Sequence, residues 1–414
     1  MVTEILVNAH KKIDFLRFYL QVCIFFVNFA AKFNFAMALA RTYYRVAEHL
    51  FAVESSNTAL FDLMSNYEPF AVEINKNENI DNVSWHSTLI FTLRIELDET
   101  RSKMQEAKDE KKYIHVLTDN AEEYMPRVEV YKAKCDDVIM REGDRTPQKS
   151  ADFSGMVLAR GWLFRVAMVA KAPICCEMEC CKDFTVGVLR ISYDCQNIRF
   201  CIDNSLMLLY AFRTAPLMTL EMHAAVVVRG SLEDARGASY RTPSGLQDAL
   251  TGYREEERGE GRGYLFLGHS GTGKSTHARQ WLAAFDDAWL LNDDNPIVRV
   301  MENNEVLVYG SPWSGKTPCY KNSHARVGGI IKLSQASYNR MRMLSLPEAY
   351  AYILSSTSGL KMDRQMTDYM HETIKHVIMN VKCHHLECLP NTEAAAVCFH
   401  GVGKQCLKDD TLFV

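Results

Sequence analysis

Two hydrophobic periods divide the chain. From Tyr43 to about residue 203, short apolar runs alternate with polar residues at period two, in YYRVAEHLFAVE, LIFTLRIEL (Leu89 to Leu97), YIHVL, GWLFRVAMVA, FTVGVLRIS and IRFCI (198–202), and predict strands. Between them, NYEPFAVE reads as turn-rich, and the charged run Asp98 to Lys112 as a solvated helix or a long hairpin loop. Nothing in this stretch has catalytic spacing, and a recognition or lid region is the most it suggests. Asp203-Asn204-Ser205 then predicts the cap of a helix over SLMLLYAFRTA, ending at Pro216. Beyond it strands and helices alternate. MTLEMHAAVVVRG predicts a strand pair and Tyr264 to Leu267 a short buried strand. The residues from Ser275 predict an amphipathic helix with Ala278, Trp281, Leu282 and Phe285 on one face. Strands follow at Trp289 to Leu291, Val306 to Tyr309, GGIIKLS and VKCHHLECL, with helices over PEAYAYIL, Asp363 to Asn380 and TEAAAVCFH. The expected architecture is α/β, with a β-rich recognition domain at 41–215 and an α/β domain at 216–414. The polar, glycine-rich stretch 231–262 reads as an exposed insertion in the second of these. A chain of 414 residues is long for one domain, which agrees with two.

Residues 1–40 follow neither period. Lys11 and Lys12 precede an apolar run, Phe18 to Ala31, and Ala38-Leu39-Ala40 imitates a signal-peptidase site. The uncharged stretch is short for a membrane span, and Asp14, Arg17 and Lys32 interrupt it. It is read as a disordered or helical extension, or as the product of an upstream start codon with Met37 as the first native residue, and stable membrane insertion is not expected.

Charge narrows the choice of partners. Forty-seven basic against 51 acidic residues leave a net charge of −4, so no global field points to nucleic acid. Thirteen cysteines, an odd number scattered through the chain, fit a reducing cytoplasm better than a secreted disulfide framework. The pairs Cys175-Cys176 and Cys180-Cys181 have a spacing that zinc tolerates, but no second cluster accompanies them, Cys195 and Cys201 fall in strand-like runs, and small buried thiols are the simpler reading. CHHLEC, with Cys383 and His385 on one side and Leu386 on the other, reads as a half-buried strand.

Chemistry concentrates at residues 268–276. Gly268, His269, Ser270, Gly271, Thr272, Gly273, Lys274, Ser275 and Thr276 fit G-x-x-x-x-G-K-[ST] between a strand and a helix. Glycines let backbone N–H groups close around phosphate oxygens, the helix N-terminus adds positive charge, Lys274 reaches the β- and γ-phosphates, and the Ser275 hydroxyl suits Mg²⁺. The expected ligands are therefore ATP and Mg²⁺. Residues 310–317 (GSPWSGKT) satisfy the same pattern after a strand, but Pro318 and a polar run follow, with no helical stripe. That loop is read either as a second active-site loop, with Lys316 touching phosphate or acceptor, or as a turn anchored by Trp313. The strand at Trp289 ends in Asn292-Asp293-Asp294-Asn295, and adjacent carboxylates on opposite sides of a strand end can divide metal binding from hydroxyl activation.

Together LEMHAAVVV, FLGHSGTGKST and LLNDDNPIV closely resemble the kinase core of HPr kinase/phosphorylase, over about residues 217–400. That core is itself similar to the nucleotide domain of ATP-dependent phosphoenolpyruvate carboxykinase, and the whole chain looks most like HPr-kinase-related proteins of bacterial peptide-modification clusters. The resemblance implies a P-loop kinase core joined to a separate N-terminal β-rich domain. It also implies transfer of the γ-phosphoryl group of Mg-ATP to a serine-type hydroxyl of a protein or peptide. His223 matches the family's active-site histidine, Lys274 and Ser275 its phosphate- and Mg²⁺-binding pair, Asp293 the proton-accepting aspartate with His223 near it, and Asp294 the neighbour on the metal side. The family's later His-x-x-Glu-Ile-Arg-Gly stretch has no counterpart; GSPWSGKT, with Lys316, and Arg326 stand roughly where it would fall. Departures are Ala224 for a glycine and Thr276 for an acidic residue, so neither HPr as acceptor nor phosphorolysis is carried over. The alternatives are a carboxykinase-type enzyme, with His223 and Asp294 as two Mn²⁺ ligands, and a non-catalytic ATP-binding module. Oligomeric state is open, a homo-oligomer included.

Overall fold

The computed structural model describes residues 39–73, 89–98, 113–119, 126–134, 138–139, 158–230, 261–359, 361 and 363–409. The expectations for residues 1–38, for most of the charged run after Asp98 and for 231–260 lie outside these. Residues Arg41–Val414 make one compact unit, built on two large mixed sheets.

The first sheet holds β1 (Ala40–Val46), β2 (His49–Ser55), β3 (Ala71–Val72), β4 (Leu89–Asp98), β5 (Tyr113–Asp119), β6 (Arg127–Ala133), β7 (Val138–Ile139), β8 (Leu158–Ala167), β9 (Ile174–Cys181) and β10 (Val186–Ser192), in the order β3-β1-β2-β4-β10-β9-β8-β6-β5, with β7 beside β8. A short helix α1 (Ala59–Asp62) and a 3₁₀ stretch (Ser65–Phe70) link β2 to β3. Helix α2 (Ile198–Thr214) covers this sheet with Cys201, Ile202, Leu206, Leu209 and Tyr210, all fully buried.

Here the sequence reading needs correction. Residues 198–202 are the first turns of α2, not a strand, and the cap is Asn197, whose side chain accepts from Phe200 N at 3.0 Å. Ile198, Ile202, Ser205 and Leu209 continue the helical stripe upstream, and this wins over local β propensity. Asp203, expected as a cap, instead accepts from the Tyr67 hydroxyl (2.9 Å) and Asn66 Nδ2 (3.2 Å).

The second sheet contains β11 (Thr219–Glu221), β12 (Ala224–Arg229), β13 (Arg262–Leu267), β14 (Ala288–Asn292), β15 (Ile297–Val300), β16 (Val306–Tyr309), β17 (His324–Gln335), β18 (Arg340–Met343) and β19 (Cys383–Cys388). Its order is β11-β15-β16-β17-β13-β12-β14, with β19 beside β17 and β18 beside β19. Both faces of the central strands are buried, which is why AAVVV and YLFL are unbroken apolar runs rather than alternating ones. Val226, Val228, Leu265 and Leu267 face α4 (Leu346–Ser355) and α5 (Arg364–Asn380). Ala225, Val227, Tyr264 and Phe266 face α3 (Lys274–Ala284) and α6 (Thr392–Asp409). The sheets meet through Trp313, whose ring lies 5.3 Å from that of Tyr210 and whose indole N–H donates to the Tyr67 hydroxyl at 2.8 Å. The expected boundary near residue 216 therefore falls between two sheets of one compact unit. No helix among the described residues is long and apolar enough to cross a membrane.

Candidate active site at the end of the second sheet

Strand direction assembles the site. β12 runs antiparallel to both β13 and β14, pairing Ala224 with Leu267 and Val226 with Asn292. It therefore begins where the other two end. His223, before β12, Gly268, after β13, and Asp293, after β14, come to one edge although they are up to 70 residues apart in sequence.

The glycine loop has a backbone conformation that suits an anion. Gly271 and Gly273 have φ of +78° and +105°, a region open to glycine and strained for other residues. Gly273 caps α3, so the first N–H groups of the helix have no intrahelical partners and point out of its N-terminus. Gly268 serves close approach: a Cβ there would lie 2.9 Å from the Thr272 side chain. His269 and Ser270 are exposed, and Thr272, Ser275 and Thr276 half-buried. Beneath the loop, Trp281 Nε1 donates to His277 Nε2 at 3.0 Å, and burial pushes the His277 pKa down to about 4, so this ring is neutral and adds no charge.

Lys274 is 8% exposed, and its ammonium donates to Gly268 O and to His223 Nε2, both at 2.9 Å. An ammonium has only donors, so His223 accepts at Nε2 and carries its proton on Nδ1, which lies 3.0 Å from Asp294 Oδ1. A chain Lys274–His223–Asp294 results, with one ammonium proton left over. Burial lowers the Lys274 pKa, Asp294 and Asp293 hold it up, and Lys332 lowers it further. The hydrogen-bonded carboxylate partner of His223 is Asp294, the chain neighbour of Asp293.

Asn292 fixes the carboxylates. Fully buried, it accepts the N–H groups of Asp294 (2.9 Å) and Asn295 (2.8 Å) on Oδ1 and donates from Nδ2 to Ser311 Oγ (3.1 Å) and Trp313 O (3.0 Å). The 310–317 loop is thereby drawn over the aspartates: Thr317 N donates to Asp293 Oδ2 at 3.1 Å, and a Cβ on Gly315 would lie 3.1 Å from that of Asp294. Asp293 is 3% exposed beneath it, while the Asp294 side chain is 30% exposed at the edge. Lys316, between Gly315 and Thr317, is exposed above the pair.

Arg326 does not join this group. It is in register with Arg262, at the opposite end of β13 from the glycine loop, about 17 Å away at strand rise, and it pairs with Glu305. The sequence offset suggested proximity, but β17 crosses the whole sheet before reaching the site. The cation of β17 in register with the end of β13 is Lys332, opposite Leu267; its ammonium donates to Leu333 O at 2.6 Å and lies over the Tyr352 ring, and burial lowers its pKa. A lone lysine in the apolar run GGIIKLS was the available signal. Glu221 was also missed. It is 1% exposed, neither carboxyl oxygen has a partner of good hydrogen-bond geometry, and burial pushes its pKa up to about 8, with Ser358 pulling it down and Asp294 adding to the rise.

The residues present suit a magnesium nucleotide: N–H groups at a helix start, a buried ammonium, a half-buried serine hydroxyl and two carboxylates, of which Asp293 accepts from Thr317 N on Oδ2 and Asp294 from His223 on Oδ1 and Asn295 Nδ2 on Oδ2. No protein-family model matches the chain, and no curated protein matches it.

Proposed function

We propose that the protein is an Mg-ATP-dependent phosphotransferase that passes the γ-phosphoryl group to a serine-type hydroxyl of a protein or peptide. The observation that carries this reading is the hydrogen-bonded chain Lys274–His223–Asp294 at the mouth of the glycine loop, which joins a phosphate-seeking cation to a carboxylate accessible from outside. Residues Gly268 to Thr276 would cradle the phosphates. Ser275 and one carboxylate of the aspartate pair would hold Mg²⁺, which when bound neutralises charge on the β- and γ-phosphates. The exposures favour Asp293 for that role and Asp294 for the acceptor, the reverse of the assignment implied by the resemblance. Asp294 accepts a hydrogen bond from the attacking hydroxyl, and the neutral His223 holds it in place through Nδ1–H. As the hydroxyl oxygen bonds to phosphorus and the bridging oxygen leaves with ADP, the hydroxyl proton passes to Asp294. Lys274, still positive, faces the charge that moves onto the leaving group.

The test is transfer of γ-labelled phosphate from Mg-ATP to proteins and peptides of the source cell's lysate. A labelled band with wild type, absent with Lys274→Ala and Asp294→Asn, is expected. ATP consumption that depends on oxaloacetate, with no labelled acceptor, would replace the proposal by the carboxykinase reading. ATP binding without turnover in either assay would leave a regulatory module.

A further inference from the structure

Four cysteine sulfurs converge on the inner face of the first sheet, far in sequence from the glycine loop. Cys175 and Cys176 are adjacent on β9, and in a regular strand their side chains would point to opposite faces. The strand is not regular there. Across from it Val166 pairs with Cys176 and Ala167 with Ile174, so Cys175 is the extra residue of a β-bulge. The bulge lets both thiols meet Cys201, in the first turns of α2: the sulfurs of Cys175, Cys176 and Cys201 all lie within 4.8 Å of one another, with Cys175 to Cys201 at 3.6 Å. Cys195, in the turn between β10 and α2, places its sulfur 3.6 Å from that of Cys201. Cys176 and Cys201 are fully buried, Cys175 is 9% exposed, and Cys195 is half-buried on the outer side of the group.

We propose that Cys175, Cys176, Cys195 and Cys201 form a structural zinc site. Zinc–sulfur bonds of about 2.3 Å at tetrahedral angles set neighbouring sulfurs about 3.8 Å apart, close to the two spacings of 3.6 Å. All four ligands are sulfur, the donor set that favours zinc over magnesium or calcium. Three ligands are held by sheet and helix, and the fourth sits on the turn between β10 and α2 with its sulfur 3.6 Å from that of Cys201. Binding is not a redox step: four S–H bonds give up their protons, each sulfur donates a lone pair to Zn²⁺, and four protons leave to solvent. The start of α2 favours the resulting negative charge. Cys180 and Cys181 take no part, since the Cys181 thiol donates to Asp183 Oδ1 at 3.0 Å and Cys180 is fully buried beside Gly187. The ion would clip the bulged strand and the β10–α2 turn to the helix whose Asp203 anchors Tyr67. This site is independent of the phosphotransferase reading.

The experiment uses the full chain, produced and purified under reductant with zinc supplied. Elemental analysis is expected to find about one zinc per chain in wild type, in Cys398→Ser and in Cys383→Ser, and loss of most of it in Cys201→Ser and Cys176→Ser. Should the last two fail to fold, wild type decides: exchange of Zn²⁺ for Co²⁺ is expected to give intense visible bands of a tetrahedral ion and near-ultraviolet thiolate charge transfer. Wild type that neither carries zinc nor binds one added equivalent under reductant overturns the proposal. So does zinc retained in folded Cys201→Ser, or a metal-free wild type with Cys195 and Cys201 joined in a disulfide.

Discussion

The loops 268–275 and 310–317 satisfy the same eight-residue pattern and follow strands of the same sheet, yet their backbones do different things. The first gives way at once to a helix, with Gly271 and Gly273 at positive φ and Lys274 buried and aimed at His223. The second continues as coil through Pro318, and its lysine is exposed. Its polar groups are already spent on structure: Ser311 donates to Asn295 O at 2.6 Å, Ser314 to Thr317 O at 2.7 Å, and Thr317 N to Asp293. One loop ends in the first turn of a helix, whereas the other ties the N–H groups of Gly310, Trp313 and Thr317 to Ser323 O, Ser311 Oγ and Asp293 Oδ2 and lies against the carboxylates. A glycine-lysine pattern marks a phosphate site only where a helix follows it.

The largest expected difference separates the two lysines. Lys274→Ala should lower phosphoryl transfer by about 10³-fold or more, the scale of losing a charged group aimed at the transferred phosphate. Lys316→Ala should cost less than about tenfold, since an exposed cation acts through screened charge. Initial rates with the labelled acceptor check both, and equal losses would break the comparison.

Next come the carboxylates that the second loop covers. Asp294→Asn should lower kcat by roughly 10²- to 10⁴-fold without changing the Mg²⁺ concentration needed for half-maximal rate. Asp293→Asn should raise that concentration. Rates measured across a magnesium titration would show the two effects exchanged if the roles are the other way round.

Stability should respond to pH through Glu221, buried on β11 two residues before His223. Its folded pKa of about 8 exceeds its ordinary value of 4.5, so the folded chain holds the proton more tightly. Its contribution is full below about pH 4 and drains away as pH rises to about 8. Glu221→Gln removes that drain. The variant should gain on wild type progressively over this range, by on the order of 4 kcal/mol at pH 8, read from denaturant unfolding at a series of pH values. A constant difference with pH would mean that Glu221 is ionised in the fold.

The smallest contrast is between glycines. Gly273→Ala forces a side chain into positive φ and should cost about 1–2 kcal/mol, seen as weaker nucleotide binding and a lower Tm. At Gly315 φ is not in that region, and an added methyl group meets Asp294 Cβ at 3.1 Å, with Asp294 Cγ at 3.4 Å and Asp293 Oδ2 at 3.5 Å in ordinary contact, so Gly315→Ala should cost less.

Where the sequence could be read, local rules decided the structure. The strand-loop-helix around Lys274, the capped helix after Asp363 and the strand end at Asp293 follow from apolar period, glycine and cap residues within a few positions. The start of α2 did not, because IRFCI alone fits a strand and only the stripe running on to Leu209 turns it into helix. The site's inner detail was still less legible. That His223 meets Asp294 depends on β12 running antiparallel between β13 and β14, and that Arg326 stands at the far end depends on the register of β17. Both are long-range pairings with no local signature. Glu221, one apolar-looking position of LEMH, and the bulge that turns Cys175 toward Cys201 belong to the same class.

Calorimetric titration of the full chain with Mg-ATP tests the central claim most directly, comparing wild type with Lys274→Ala and Lys316→Ala. One site per chain is expected in wild type, unchanged within a few-fold in Lys316→Ala, and weakened beyond detection or by at least about 100-fold in Lys274→Ala. Wild-type affinity retained in a folded Lys274→Ala, or lost only in Lys316→Ala, would contradict the assignment of the phosphate site to the first loop.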